Sequence, residues 1–490
     1  MKTSSILSAV SWLSNFRRTM ALFLFLAAAS SPAATLVTYP PPAGVTPAND
    51  YQVKVEDREL FVYNAPIASI ASFDFEGPVT VTITANRDVK WVDVRPKQLG
   101  IKPEFKGREI RFTLKKPCNL SVELNGEILR HPLYLFANPL EKRAPNPGDK
   151  DVIFFEGGKV HQVKNLELKS GQTVYIAGGA IVQGAIRAQN AENIRILGRG
   201  ILDGTFNREW KANQFLSFRD CRDVTIEGVT LVNSFTWQIV PVHCENVKIR
   251  NVKIASDNGS DDGIDIVRCK KVTIQNCFFH TKDDCIVIKT IWDYPPEAGV
   301  ENVRVSECVF WNAAWGNALE IGFELRAREV RDVVFENCDV IHVEDGAVFS
   351  IHNGDTATVR DIRFENIRVE DARQKLFDLA IFLSQYSADR PSDPAERKRR
   401  YLEGAWDGVL SVSPEERPVH APHRGYIRDV VFKDIAVVDG LFPFSVISGF
   451  DEDHRVENVT FKNFTVHGRH IRNPEAAKLY IEHADKIRFK

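Results

Sequence analysis

The sequence lacks an excess of charge of either sign, because 63 Lys and Arg residues stand against 65 Asp and Glu residues, for a net charge of -2. A nucleic-acid partner would require a strongly basic face, and an anionic membrane surface a basic patch, so neither partner is expected. The sequence also lacks any Cys-x-x-Cys pair, which argues against a zinc site. We predict no metal ion and no cofactor.

Long apolar runs are absent apart from one near the N-terminus. Arg17 and Arg18 precede the apolar residues 21–29, and small residues follow at Ser31 and Ala33. This pattern is typical of a secretory signal peptide, here residues 1–34. The run is shorter than the roughly 20 residues that span a bilayer, although an uncleaved anchor remains the alternative. We predict a secreted or periplasmic protein with no membrane insertion after signal cleavage.

A short repeat dominates the chain from about residue 160 to its end. Each copy has two polar residues, a branched apolar residue, a polar residue and another apolar residue. The first apolar residues of successive copies are 23 to 31 residues apart, except for one step of 68. They are Leu166, Ile194, Val224, Val247, Val272, Val303, Val333, Ile362, Val430, Val459 and Ile487.

Periods of this length indicate a solenoid, and the alternating β-branched character of the copies indicates strands. A propeller blade needs a longer repeat of about 40–45 residues, and leucine-rich repeats would place leucine where this chain has Val, Ile and Phe. We therefore predict an all-β chain in which residues 151–490 form a right-handed parallel β-helix, with one coil per copy.

Six of the eight cysteines occupy two positions of the repeat at which Val or Ile also occurs. Cys221, Cys244 and Cys269 lie three residues before the first apolar residue, and Cys277, Cys308 and Cys338 lie five residues after it. Cysteine at such positions behaves as a small apolar residue of the interior. Stacked coils are close enough for disulfides, so bridges remain an alternative to buried thiols.

Two further segments flank or interrupt the coils. Residues 35–140 show alternating strands separated by turn signals such as Asn125-Gly126, which predicts a small antiparallel β-sandwich. The step of 68 implies an insertion at about 373–426. A solvated loop or short helix is one interpretation of it, and a lid or groove wall bearing Tyr401 and Trp406 is the other.

Acidic residues recur at matching positions on neighbouring coils. Asp262 lies 15 residues after Val247, whereas Asp283 and Asp284 lie 11 and 12 residues after Val272. Asn317 and Trp237 take similar positions on the coils to either side. Crowded carboxylates raise one another's pKa, which suits a general acid working beside a general base. A solvated acidic rim and a calcium site are the competing interpretations.

At these residues the chain resembles the polygalacturonase-like glycoside hydrolases, a family grouped with pectin hydrolases and structurally close to dextranases. Four ordered segments carry the resemblance: Gly198-Arg199-Gly200-Ile201-Leu202-Asp203-Gly204, Asn233-Ser234-Phe235-Thr236-Trp237, Ser260-Asp261-Asp262-Gly263-Ile264-Asp265 and Lys282-Asp283-Asp284-Cys285-Ile286-Val287-Ile288-Lys289. The resemblance implies Asp283 as general acid. It implies that Asp262 and Asp284 orient and deprotonate the attacking water, with inversion at the anomeric carbon.

Two departures from the family pattern bear on the substrate. The family's Gly-His-Gly stands here as Gly316-Asn317-Ala318, and its Arg-Ile-Lys, which grips a uronate carboxylate, stands as Ser350-Ile351-His352. We therefore predict a glycan other than polygalacturonate. The predicted substrate-binding residues are Lys289, Asn317, Glu320, His352, Trp237 and Trp292, and Trp311 and Trp315 are further candidates for contact with sugar rings.

The leading hypothesis is an exported inverting glycoside hydrolase that acts on an oligo- or polysaccharide. A calcium-dependent polysaccharide lyase and a non-enzymatic glycan-binding protein are the alternatives.

Overall fold

The computed structural model describes residues 34–211, 214–404 and 408–490. The predicted signal peptide and Trp406 lie outside the described residues. Among the residues described, none of the helices combines the length and apolar character that a bilayer crossing requires.

Two small sheets precede the solenoid and enclose a core of their own. In the first, β1, β5, β11, β10 and β7 are neighbours in that order and β4 joins β5, whereas the second has the order β3, β2, β6, β9, β8. All pairs are antiparallel except β5 with β11. The strands are β1 Thr35–Val37, β2 Tyr51–Val55, β3 Arg58–Leu60, β4 Val62–Asn64, β5 Ser69–Glu76, β6 Val79–Ala85, β7 Val92–Arg95, β8 Glu104–Lys106, β9 Glu109–Leu114, β10 Cys118–Leu124 and β11 Leu133–Pro139.

The remaining strands form the coils of a parallel β-helix. They are β12 Val152–Phe155, β13 Val160–Leu168, β14 Thr173–Ile176, β15 Ile181–Gln189, β16 Glu192–Gly198, β17 Ile201–Asp203, β18 Leu216–Arg219, β19 Arg222–Glu227, β20 Thr230–Val232, β21 Ile239–Val242, β22 Glu245–Arg250, β23 Lys253–Ala255, β24 Ile264–Val267, β25 Lys270–Gln275, β26 Phe278–Thr281, β27 Ile286–Lys289, β28 Val300–Ser306, β29 Val309–Asn312, β30 Leu319–Phe323, β31 Glu329–Glu336, β32 Asp339–Val343, β33 Ala347–Asn353, β34 Thr358–Val369, β35 Lys375–Ile381, β36 Tyr426–Val437, β37 Phe444–Ser448, β38 Val456–Lys462, β39 Thr465–Val466, β40 Arg469–His470, β41 Leu479–Glu482, β42 Ala484–Asp485 and β43 Arg488–Phe489.

Each coil contributes a strand to three parallel faces, here called sheets A, B and C. The central strands of sheet A are β16, β19, β22, β25, β28 and β31, those of sheet B are β17, β20, β23, β26, β29 and β32, and those of sheet C are β18, β21, β24, β27, β30, β33 and β35. The predicted fold class, a parallel β-helix preceded by a small β-sandwich, is confirmed.

Backbone conformation explains why a polar residue recurs just before the first apolar residue of each copy of the repeat. From Asn193 to Lys486, the residue just before the first apolar residue of each copy has φ between 55° and 61°. Asn and Asp tolerate this left-handed conformation better than most residues. These left-handed residues lie near the start of the sheet A strands, at positions that the pairing register skips. The recurrence of Asn and Asp in the sequence reflects this local irregularity.

The interior is filled by ladders of identical or similar side chains. Phe335, Phe364, Phe432 and Phe461 stack in sequence, with ring centroids 5.0 to 5.1 Å apart. The cysteines that share a position of the repeat also stack, since the amide of Cys244 donates to Sγ of Cys269 at 3.4 Å. The structure holds all eight cysteines of the chain as free thiols.

The sandwich covers the outer side of sheet B, where polar and aromatic residues are buried. Tyr134 of β11 hydrogen-bonds His280, and Trp311 stacks on His280 at 4.4 Å. Glu123 of β10 accepts from His342 at 3.1 Å. The sandwich does not cover the acidic cavity on the outer side of sheet C.

The insertion begins later than the sequence indicated, because Lys375–Ile381 is a strand of sheet C. Among its described residues, the excursion that follows holds two α-helices, α1 Pro394–Glu403 and α2 Arg417–His420, and a 3₁₀ turn at Ala421–His423. A further 3₁₀ turn lies at Lys97–Leu99. Asp393 caps α1 by accepting from the amide of Ala395. Buried Arg424 fastens the excursion to the coils by donating to the carbonyl oxygen of Phe382 at 2.6 Å and to that of Gly354.

Candidate active site

The predicted acids lie where the chain enters sheet C. Ile239, Ile264, Ile286 and Leu319 are partners in register on β21, β24, β27 and β30. Trp237, Asp262, Asp284 and Asn317 each lie two residues before one of these partners. They therefore form one column across four coils, and Asp283 lies beside it. Residues about a coil apart in sequence become neighbours, as the repeat predicted.

A cavity of about 410 Å³ opens over this column and over the outer side of sheet C. Its walls include every predicted catalytic residue and all predicted binding residues except Trp292: Trp237, Asp262, Asp283, Asp284, Lys289, Asn317, Glu320 and His352. The volume lies in the range of small-molecule sites, about 300–1,000 Å³. The cavity is thus large enough to be a ligand site.

A buried carboxylate, Asp261, ties the two acidic loops together. Its Oδ1 accepts from the amides of Lys282 and Asp283 at 3.0 and 3.1 Å, and its Oδ2 accepts from the amide of Asn258 at 2.9 Å. Asp261 is fully buried, and burial raises its pKa to about 6. Its role is to fix the backbone that presents Asp262 and Asp283.

Lys289 is the cation of the acid cluster. Its Nζ lies 2.8 Å from Oδ2 of Asp262 and 3.1 Å from Oδ1 of Asp265. The same ammonium lies 4.0 Å from the ring centre of Trp237. Burial alone would lower the pKa of Lys289, but the charges of Asp262 and Asp265 raise it well above its ordinary value. Lys289 therefore remains charged beside both carboxyl groups. Burial and the charge of Asp262 nevertheless raise the pKa of Asp265 well above its ordinary value.

Asp283 and Asp284 lie in the same cavity without an ammonium partner among the described residues. Burial, with the charge of Asp262, raises the pKa of Asp283 to about 7. Burial and the charges of Asp283 and Asp262 raise the pKa of Asp284 well above its ordinary value. The cavity thus holds two carboxyl groups with raised pKa values beside Asp262, which forms an ion pair with a cation. Carboxyl groups in such different surroundings can take different roles in one active site.

Asn317 connects this cluster to the next coil. Its amide donates to Oδ1 of Asp284 at 2.7 Å, and its side-chain Oδ1 accepts from the amide of Ala347 at 2.8 Å. Gly316, just before it, packs so closely on the backbone of Asp283 and Asp284 that a Cβ would lie 2.2 Å from the Asp284 nitrogen. Glycine is therefore required at this position, and Asn317 positions Asp284 through its amide.

A second charged group lies further along sheet C. His352 lies between two carboxylates, with Nδ1 3.1 Å from Glu320 and Nε2 3.2 Å from Asp378. Lys375 forms an ion pair with the same Asp378. Burial alone would lower the pKa of His352, but Glu320 and Asp378 raise it to about 9. The imidazole is therefore a cation at neutral pH, and its charge is already balanced within the protein.

The tryptophans named from the sequence take different positions. Trp237 lines the cavity, and Trp292 packs against it with ring centres 6.0 Å apart without lining the cavity. Trp311 is fully buried under the sandwich. Trp315 lines the cavity and is 56% exposed.

Sequence reasoning missed several residues of this site, among them Asp265, Asp378, Lys375 and Tyr386. Asp265 alternates with the apolar residues Ile264 and Ile266, so its outward orientation on β24 was a signal available in the sequence. Asp378 shares a register position with Glu320 through Ser350, and Lys375 opens the same strand, but that register depends on where the insertion begins. Tyr386 lies within the insertion and has no counterpart in the repeat.

Together the fold and the site define a parallel β-helix with a carboxylate-rich cavity on one open face. Residues 157–378 match the family model described as Glycosyl hydrolases family 28. The resemblance to polygalacturonase-like glycoside hydrolases predicted from the motifs is confirmed.

Individual relatives are distant and partial. An exopolygalacturonase of Arabidopsis thaliana is 25% identical over 206 residues, which are 38% of this chain and 46% of that protein. A polygalacturonase of Juniperus ashei is 25% identical over 205 residues, 38% of this chain and 38% of that protein. The chain therefore spans less than half the length of these relatives.

One solved structure shares the fold over nearly the whole chain. Dex49A from Penicillium minioluteum superimposes with a TM-score of 0.61 at 14% identity, covering 92% of this chain and 96% of that chain. At this identity the likeness concerns the fold alone.

Proposed function

We propose that this chain is an exported glycoside hydrolase that cleaves glycosidic bonds of an oligo- or polysaccharide with inversion. The observation that carries the proposal is the cavity in which Asp262, Asp283 and Asp284 converge from two neighbouring coils. The match of residues 157–378 to Glycosyl hydrolases family 28 supports it independently. Export rests on the N-terminal sequence pattern.

Asp283 is the general acid of the proposed reaction. Its pKa of about 7 keeps a large fraction of the carboxyl protonated at neutral pH. The proton passes to the glycosidic oxygen while the bond from that oxygen to the anomeric carbon breaks. The leaving sugar therefore departs as a neutral alcohol. Protonation of the leaving oxygen is the task of the general acid in both inverting and retaining glycosidases.

Asp262 deprotonates the attacking water, and Asp284 orients it. The carboxylate of Asp262 forms an ion pair with the Lys289 ammonium. Water attacks the anomeric carbon from the face opposite the leaving oxygen, and Asp262 takes the proton that the water loses. Asp284, held by the Asn317 amide, orients that water. One displacement inverts the anomeric configuration.

The charges of the cavity favour a substrate without carboxylates. Its cations are balanced by protein carboxylates: Lys289 by Asp262 and Asp265, His352 by Glu320 and Asp378, and Lys375 by Asp378. A uronate would meet no uncompensated partner among these cations and would lie beside the carboxyl groups of Asp262, Asp283 and Asp284. We therefore propose a neutral glycan rather than polygalacturonate.

A panel of defined glycans incubated with the mature protein tests the proposal, and NMR follows the anomeric configuration of the first product. We expect a neutral glycan to be hydrolysed with inversion, and Asp283→Asn to remove the activity. Retention would overturn the mechanism. An unsaturated, ultraviolet-absorbing product that disappears with a chelator would replace hydrolysis by a lyase reaction, and hydrolysis of polygalacturonate alone would overturn the substrate class.

A further inference from the structure

Two aromatic side chains line the cavity and are also well exposed. Trp315 is 56% exposed and Tyr386 is 45% exposed. The ring face of Trp237, in contrast, is already in contact with the Lys289 ammonium. Exposed aromatic rings beside polar groups in a cavity are typical of ligand contact surfaces.

The first ring is held by the loops that carry the acids. The Trp315 amide donates to the carbonyl oxygen of Lys282 at 3.0 Å, and the Lys282 ammonium lies 4.7 Å from the ring centre. Gly259 approaches the ring so closely that a Cβ would lie 2.4 Å from a ring carbon. The indole is therefore fixed beside Asp283 and does not behave as a loose surface side chain.

The second ring is held by the insertion. Tyr386 stacks on Phe323, with ring centres 5.9 Å apart and planes inclined by 22°. Its carbonyl oxygen accepts from Arg326 at 2.9 Å. Two residues later, the amide of Ala388 donates to buried Asp355 at 2.7 Å. These hydrogen bonds anchor the backbone around Tyr386 to the coils, so this part of the insertion forms a fixed wall of the cavity.

The two rings lie at opposite ends of one strand of sheet C. Trp315 precedes β30, and Phe323, on which Tyr386 stacks, is its last residue. Asp284 lies level with Asn317 at the start of that strand, and Glu320 lies within it. The step from Leu319 to Phe323 alone covers roughly 13 Å at about 3.3 Å per residue. A ligand lying along the strand would pass Trp315, the acids, Glu320 and then Tyr386.

We propose that Trp315 and Tyr386 are sugar-binding residues that flank the acid cluster, so that the cavity takes an oligosaccharide segment along the direction of β30. This inference rests on the proposed function. Each aromatic ring covers one apolar face of a pyranose.

The test uses Trp315→Ala and Tyr386→Ala with oligosaccharides of increasing length from the glycan that the wild type hydrolyses. Each variant should raise KM roughly fivefold to tenfold for chains long enough to reach the missing ring, with kcat little changed. Trp315→Phe and Tyr386→Phe should restore most of the affinity. Trp91→Ala and Tyr480→Ala are matched controls, since these residues are 59% and 56% exposed and lie outside the cavity lining.

Calorimetric titration of the same oligosaccharides into the Asp283→Asn protein, with and without each aromatic change, gives dissociation constants that do not depend on turnover. A KM and Kd within twofold of the wild type at every length overturns the assignment of that aromatic residue. If the wild type hydrolyses glycans normally in that case, the proposed function stands without the inference. If it neither binds nor hydrolyses any glycan, both fail.

Discussion

The Lys289 ammonium lies 2.8 Å from Asp262 and 3.1 Å from Asp265, and all three side chains are buried. One cation therefore lies between two carboxyl groups inside the cavity wall. Asp283, one coil away, has no such partner among the described residues. The structure thus places chemically identical side chains in different electrostatic surroundings.

Replacing Lys289 with Met should destabilise the fold strongly, because it leaves two buried carboxylates without compensation. We expect the free energy of unfolding to fall by about 3–5 kcal/mol, measured by urea denaturation. Lys289→Met combined with Asp265→Asn should recover part of that loss. Lys271→Met, which removes an exposed ion pair with Glu245, should change stability little. Equal effects of the two lysine variants would contradict the assigned role.

Asp283→Asn should remove activity and stabilise the protein above neutral pH. Loss of a general acid costs about 10²- to 10⁴-fold in kcat. The folded-state pKa of Asp283 is raised to about 7, so the folded protein binds an extra proton between the ordinary value and 7. Stability therefore falls as pH rises through this window, and removing the charge should restore roughly 1–2 kcal/mol at pH 8. Asp345→Asn, an exposed acid of the same cavity, is the control and should show neither effect.

The pH dependence of kcat/KM should show a descending limb near pH 7. The reaction requires the protonated form of Asp283, and that form is lost as pH rises through its pKa of about 7. Initial rates between pH 4 and 9 on a neutral oligosaccharide measure the limb. A rate that keeps rising to pH 9 would assign the proton donor elsewhere.

His352 should contribute stability that depends on pH. Its folded-state pKa is raised to about 9, against about 6.5 for an ordinary histidine. The stability that charged His352 contributes is complete below the ordinary pKa of about 6.5 and is lost as pH rises through the folded-state pKa of about 9. The melting temperature of His352→Gln should therefore fall below that of the wild type by more at pH 6 than at pH 9.5. An equal difference at both values would mean that His352 is neutral in the fold.

The repeat allowed the solenoid and the acid column to be predicted, because coil stacking converts sequence phase into spatial position. Asp262 and Asp284 could be paired in this way without coordinates. The contacts of Asp378 and Lys375 could not, since the insertion obscured the register of their strand. The position of Tyr386 was also beyond sequence reasoning, because it depends on bonds from Arg326 and Asp355 to irregular backbone rather than on a period.

The cover that the sandwich gives to sheet B has a consequence for any attempt to divide the molecule. Trp311, His280 and His342 would meet solvent if residues 34–139 were removed, and Glu370 would lose Arg95, its partner at 2.6 Å. An isolated β-helix would thus expose aromatic side chains together with ionic groups that have lost their partners. The amino-terminal sandwich is therefore an integral part of the folded protein and not an independent domain. Expression of the β-helix alone should yield aggregates.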